Sequence, residues 1–312
     1  MTLAFITVGG LVLLILAGIG AATGGRFHPA HRVHLTLGAL LTGLFIVEAG
    51  LILWAIPVLL DLAGLVDLAV VCRRILGGPA PGGTPGGVAA GLGAVWLGGA
   101  MLKGWWGVLW TQHILRIESA ITPTDKREGF DLYVLASPRR MAYTVGGRRP
   151  QVVLTSAVVD ELPSDLVEVI TAHERAHAQN RHYRFLALAA GVEAAVGWLH
   201  PVGRAVDSVR LFLERWADED ASLTAPHGRD DVRKALLSAC LSGASGATAF
   251  GDPEMVSARI SALEGAEPSP FSTRLGSAYV ALGCGAVMAL ALVVWATQMS
   301  ILVLAHPGQC LA

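Results

Sequence analysis

The chain of 312 residues is 53% hydrophobic and only 15% charged, with a mean hydropathy of +0.56, which sets it apart from ordinary soluble domains. Its 23 Lys and Arg against 24 Asp and Glu leave a net charge of −1, so composition offers no electrostatic footprint for direct nucleic-acid binding. The four cysteines, Cys72, Cys240, Cys284 and Cys310, lack metal-ligand and redox spacing, which argues against a disulfide scaffold and against a cysteine-type zinc site.

In chain order, Leu3 to Ala22 carries no charge and is long enough as a helix to cross the hydrocarbon core of a bilayer. No cation precedes this run and Arg26 follows it, so it reads as a retained anchor and not a cleaved leader. A second span is expected at about 35–60, interrupted by Glu48, and a third at about 88–110, with Lys103, Trp105 and Trp106 toward one end. The Gly/Pro-rich stretch 77–87 between them reads as a loop. A fourth span is expected at about 279–305. Arg26 and Arg32 after the first span set the orientation by the positive-inside rule, with the N-terminus outside and the long segment 111–275 in the cytoplasm. Arg73 and Arg74 count against this orientation, but they are outnumbered by the cations between Arg116 and Arg149. His28, His31 and His34 lie in an interfacial stretch beside Pro29 with no carboxylate nearby, a poor metal site.

The polar segment opens with three short runs rich in β-branched and aromatic residues, Leu132 to Ala136, Met141 to Val145 and Gln151 to Thr155, expected to form a small antiparallel sheet. An edge strand of such a sheet can pair with an extended peptide. A helix then starts near Ser164, a candidate cap, and carries Leu166, Val169, Ile170, His173 and His177 on one stripe. His173, Glu174 and His177 form an H-E-x-x-H: at i and i+4 both imidazoles share a helix face and can grip one Zn²⁺, with the glutamate placed to work on water.

Phe185 to Leu199 is apolar but short for a span, and is expected to pack under the site or lie at the membrane surface. The next helix, Val206 to Leu223, contains L-E-R-W-A-D-E-D-A, where Glu214 and Asp218 stand one turn apart. Glu214 is the candidate third metal ligand, and Asp218 the carboxylate that would hold a ligand's free imidazole N–H. Two amphipathic helices follow, Asp230 to Leu241 and Pro253 to Leu263. His227, Arg229 and Arg215 are candidate cations for steadying an oxyanion, and spacing does not choose among them.

From Ala142 to Ala221, the strand, P-Q-V-V-L-T, V-I-T-A-H-E-R-A-H and L-E-R-W-A-D-E-D-A resemble the BlaR/MecR-type membrane zinc metallopeptidases, especially short bacterial members. The resemblance implies zinc on His173, His177 and Glu214, Glu174 as catalytic base, and Asp218 behind a ligand. It implies an α-helical membrane protein with four transmembrane helices and an α+β zincin-like protease domain inserted between the third and fourth. The corresponding divisions are 1–110, 111–275 and 276–312. It further implies a multi-pass protein of the cytoplasmic membrane whose partner is a winged-helix repressor, cleaved when a signal arrives. Only Pro307 to Ala312 follow the last span, so the penicillin-binding sensor of the founding members is not expected here. His182 stands where many relatives carry an aspartate, five residues after the second ligand. An HtpX-like quality-control peptidase of the CAAX-prenyl-protease type shares the zinc pattern and is the alternative, followed by a non-catalytic membrane receptor or scaffold.

Overall fold

The computed structural model describes residues 2–22, 27–76, 82–116, 124–127, 129–241 and 253–265. Four helices come first: α1 (Thr2–Ala22), α2 (Pro29–Leu62), α3 (Val66–Ile75) and α4 (Gly83–Leu115). Pro29 opens α2, where a missing N–H is harmless, and His28 Nδ1 accepts the Ala30 N–H at 3.2 Å, capping the helix. The expected loop 77–87 is shorter than its composition suggests, because Gly83 to Gly87 form the first turn of α4, with Pro85 in a position that tolerates it. α3 was not foreseen; it carries Arg73, which pairs with Asp61 at the end of α2.

Among the described residues, α2 and α4 are long and apolar enough to cross a membrane, and Thr7–Gly18 of α1 is a further apolar helical stretch. α4 shows the reason in its two faces: Gly87, Ala90, Ala94 and Leu97 are buried, whereas Leu92, Val95, Leu102 and Trp106 are exposed. Large apolar side chains exposed along one face of a helix suit a lipid surround. Glu48 of α2 faces inward, its Oε1 3.4 Å from where a Cβ on Gly98 would stand. The fourth expected span lies outside the described residues.

The remainder holds β1 (Asp125–Arg127), β2 (Phe130–Leu135), β3 (Ala142–Val145), β4 (Gln151–Thr155), α5 (Ser156–Glu161), α6 (Ser164–Gln179), α7 (His182–Val196), α8 (His200–Ser222), α9 (Arg229–Leu241) and α10 (Pro253–Glu264). The sheet corrects the expectation of three antiparallel strands. Its order is β1-β2-β4-β3, with β2 parallel to β4 and the other pairs antiparallel. Every residue of β4 is buried, so this strand takes a central place with a neighbour on each side and separates β2 from β3. β3 is thereby an edge.

Two apolar cores result. One joins α1, α2 and α4 to α7 and α8 through Leu14, Leu37, Leu97, Val192 and Val206; the other packs the sheet, α6, α9 and α10 around Phe130, Val152, Ile170 and Leu263. α8 belongs to both, giving Phe212 and Trp216 to the first and Ala221 to the second. The segment expected to pack under the site is α7, which lies against α4: Gly104 has no room for a Cβ beside the Ala190 carbonyl. α6 and α8 meet at the seam between the cores.

Candidate metal centre

The α6 helix begins one residue earlier in its capping pattern than expected. Pro163, not Ser164, is the cap residue; its carbonyl accepts the Leu166 and Val167 N–H groups, and no side chain caps the end. The stripe is as the spacing requires, with Val169 and Ile170 in the core and His173 and His177 continuing the same face toward α8.

Three donors converge there. His173 Nε2 and His177 Nε2 are 3.1 Å apart, and Glu214 of α8 brings Oε2 to 3.4 Å from the first and Oε1 to 3.5 Å from the second. Donors bound at about 2.0–2.1 Å around a tetrahedral zinc stand about 3.3 Å from one another. With one atom from each residue the three donors lie within 4.8 Å of one another, close enough to share such an ion, and three protein donors leave a fourth position open. Among the described residues this is the group of His, Cys, Asp and Glu placed to hold a metal.

Each imidazole is held from behind. His173 Nδ1 is 3.1 Å from Asp218 Oδ1, one turn along α8 from Glu214. His177 Nδ1 is 2.8 Å from His182 Nδ1. Asn180 ends α6 and Arg181 adopts a left-handed backbone conformation, φ 53°, so the chain reverses at once and His182 starts α7 facing back at His177. His182 is 1% exposed, and its ring lies 4.8 Å from that of Trp216.

Arg259 of α10 completes the cluster. It meets Asp218 through two hydrogen bonds of 2.6 and 2.8 Å and reaches Glu214 Oε2 at 3.0 Å. Burial opposes ionisation of Glu214, but His177 and Arg259 outweigh it and hold the carboxyl well below the usual range. Asp218 is likewise lowered against its burial by Arg259 and His173. Burial favours a neutral His173, yet its hydrogen bonds to Asp218 and Glu214 prevail and raise it to about 9. Burial keeps His182 well below the ordinary histidine range, helped by its neighbour His177.

Glu174, the middle of the motif, is buried and tethered to the sheet. Thr144 Oγ1 on edge strand β3 lies 2.8 Å from Glu174 Oε2 and 2.7 Å from the Glu174 carbonyl oxygen, one hydroxyl serving two acceptors. The carboxylate thus stands beside an edge strand of the sheet.

The sequence reading missed Thr144 and Arg259. Nothing in the spacing marks Thr144. Arg259 did leave a signal: it interrupts the apolar stripe Val256, Ile260 and Leu263 of α10, and a cation on a buried face requires an anion opposite. The acidic run after Trp216 is also not a solvated face, since Glu219 pairs with Arg229 and Asp220 accepts from Asn180 Nδ2 at 2.7 Å. Arg229, one of the three candidate oxyanion cations, is further committed to the carbonyls of Leu263 and Gly265. His227 uses its backbone N–H on Asp231, and the cation at the three donors is Arg259. Of the interfacial histidines, His28 caps α2 and His34 bonds the Ala30 carbonyl.

A helical scaffold with a small mixed sheet, a two-histidine helix and a glutamate from a second helix is an arrangement suited to holding a metal for hydrolysis. Comparison with known families agrees: residues 112–212 match the family described as Peptidase family M48, which supports a metallopeptidase. The match takes in His173, Glu174 and His177 and ends at Phe212, two residues short of Glu214. No curated protein and no solved structure matches the chain.

Proposed function

We propose that the protein is a membrane-embedded zinc endopeptidase that hydrolyses peptide bonds at the cytoplasmic face, with His173, His177 and Glu214 as zinc ligands and Glu174 as the catalytic base. The observation that carries this reading is the convergence of His173, His177 and Glu214, with side-chain atoms 3.1 to 3.5 Å apart, beside a glutamate fastened to an edge strand.

Zinc bound at these donors supplies Lewis acidity toward the peptide carbonyl and toward water. The chain supplies the rest. Strand β3 receives the substrate backbone by adding a strand to the sheet. Glu174 takes a proton from the attacking water and passes it to the leaving nitrogen as the C–N bond breaks, yielding a carboxylate and an amine. Thr144 fixes the rotamer of Glu174, and Asp218, neutralised by Arg259, fixes the tautomer of His173. Water alone completes the balance.

The finer reading places four spans in the cytoplasmic membrane, with 1–110 preceding the protease segment 111–275 and a final span in 276–312. In it the substrate is a winged-helix repressor cut in response to a signal, as the sequence resemblance implies. A second reading, turnover of membrane proteins, is favoured by an open groove of about 880 Å³ along α4. That groove is lined by Trp96, Gly99, Lys103, Gly107 and Gln112, and Gln112 Oε1 accepts the Gly146 N–H at the end of β3. A helix lying in it would lead toward the edge strand.

The test is N-terminal proteomics on cells carrying the native chain or Glu174→Gln at matched membrane levels, with and without envelope stress. New termini in one repressor, dependent on Glu174, support the regulatory reading. Termini spread over many membrane proteins support turnover, and identical profiles for the two chains reject the peptidase.

A further inference from the structure

The two histidines of the metal centre are held differently. Behind His173 stands a carboxylate, Asp218 Oδ1 at 3.1 Å, whose charge is matched by Arg259. Behind His177 stands another imidazole, His182 Nδ1 at 2.8 Å. For His177 to present an unprotonated Nε2 to a metal, its proton must sit on Nδ1, and that N–H then donates to His182 Nδ1. His182 is left with its own proton on Nε2. That atom is buried without a hydrogen-bond partner among the described residues, in a ring seated against Trp216. The reverse arrangement, with His182 donating, would place the His177 proton on the nitrogen that faces Glu214 and block ligation.

We infer that His182 is a positioning residue for zinc, a neutral acceptor that fixes the tautomer and orientation of His177 where a carboxylate does so for His173. This rests on the zinc reading proposed above. The consequence is a lopsided centre. A carboxylate partner increases the basicity of the imidazole it holds, and a neutral ring does so less. His177 is therefore the more weakly donating ligand of the pair. The site is also spared a further buried carboxylate beyond Glu214 and Asp218, both of which Arg259 contacts.

The geometry supplies a clean substitution. In histidine Nδ1 is two bonds from Cβ, as Oδ1 is in asparagine and aspartate, so His182→Asn keeps an acceptor at the same place. His182→Leu has nearly the same shape as Asn and no acceptor, so the pair shares whatever packing is lost beside Trp216. Zinc affinity of the detergent-solubilised full chain, measured by competition with a chromophoric chelator, reads the effect without turnover. The Leu variant is expected to bind zinc about 10–100-fold more weakly than the native chain, as loss of such partners typically does. The Asn variant should return most of that loss, and His182→Asp should bind more tightly than Asn. Equal affinities for Leu and Asn would overturn the inference, whatever their common distance from the native value. His177→Ala and Glu214→Gln serve as references: if they also bind zinc as the native chain does, the zinc reading itself fails, whereas their loss of binding with Leu and Asn equal removes His182 alone.

Discussion

Arg259 and Asp218 join the last described helix to the helix that bears the third metal donor, through two hydrogen bonds of 2.6 and 2.8 Å between side chains only 3% and 2% exposed. The pair is the physical link by which α10, distant in sequence, sets the electrostatics of the centre. Removing the cation leaves Asp218 and Glu214 buried together with His173 alone against both. Arg259→Ala is expected to destabilise the domain by about 3–5 kcal/mol, the usual cost of breaking one side of a buried pair. Denaturant unfolding of the solubilised chain measures this. A loss below about 1 kcal/mol, the scale of an exposed pair, would show that the contact does not carry that weight.

Glu174→Gln preserves the size of the side chain and its acceptor toward Thr144 while removing the base. Zinc content should stay stoichiometric, and peptide hydrolysis should fall by at least about 10²–10⁴-fold, the contribution typical of a positioned general base. Thr144→Val should leave zinc binding intact and lower kcat more than it raises KM, because it frees the Glu174 carboxylate without touching a ligand. Metal analysis beside steady-state kinetics on one peptide substrate separates the two roles. A Gln variant of native activity would remove Glu174 from the mechanism.

The raised His173 makes metal binding and stability pH-dependent in opposite senses. In the metal-free chain its pKa is held at about 9, above the histidine value of 6.5, by Asp218 and Glu214 against the effect of burial. That stabilisation is complete below pH 6.5 and disappears as pH rises through about 9. The midpoint of thermal unfolding without metal should therefore fall across this window. Zinc must displace the same proton, so its apparent association constant should climb by up to about tenfold per pH unit up to pH 9 and then level off. Chelator competition at several pH values would show a flat profile if His173 were neutral in the metal-free protein.

Gly104 and Ala190 mark where the two halves of the molecule are pressed together. A Cβ at 104 would overlap the Ala190 carbonyl of α7 and stand 3.0 Å from the Ala194 Cβ. Backbone has little freedom to yield, so Gly104→Ala should destabilise the solubilised chain by about 1–3 kcal/mol through overpacking. Gly107, with nothing near its missing Cβ, provides the control: Gly107→Ala should be neutral or slightly stabilising in the helix. Thermal unfolding of the two variants in one detergent makes the comparison. Equal midpoints would mean that α4 and α7 can separate at little cost.

Much of the centre was legible because its chemistry is local. His173 and His177 are four residues apart on one helix, and Glu214 and Asp218 are four apart on another, so helical periodicity alone puts each pair on one face. The long apolar runs of α2 and α4 declare themselves in the same way, since a bilayer selects for length and composition. The sheet was read only in part. Its strands were located by their β-branched residues, but their order was not, because β4 gains its central place from burial on both faces and not from any local preference.

What tertiary structure decided is who stands behind the ligands. Arg259 lies 41 residues from Asp218 and Thr144 lies 30 from Glu174, and no periodicity spans such gaps. His182 is only five residues from His177, but its partner depends on the left-handed turn at Arg181 and the seat against Trp216. The sequence by itself determined that His173 and His177 share a face, because their spacing is a property of one helix, whereas packing of α8 against α6 brings Glu214 to them. The fold decided their charge, tautomer and orientation, because those depend on groups that meet only when separate helices pack.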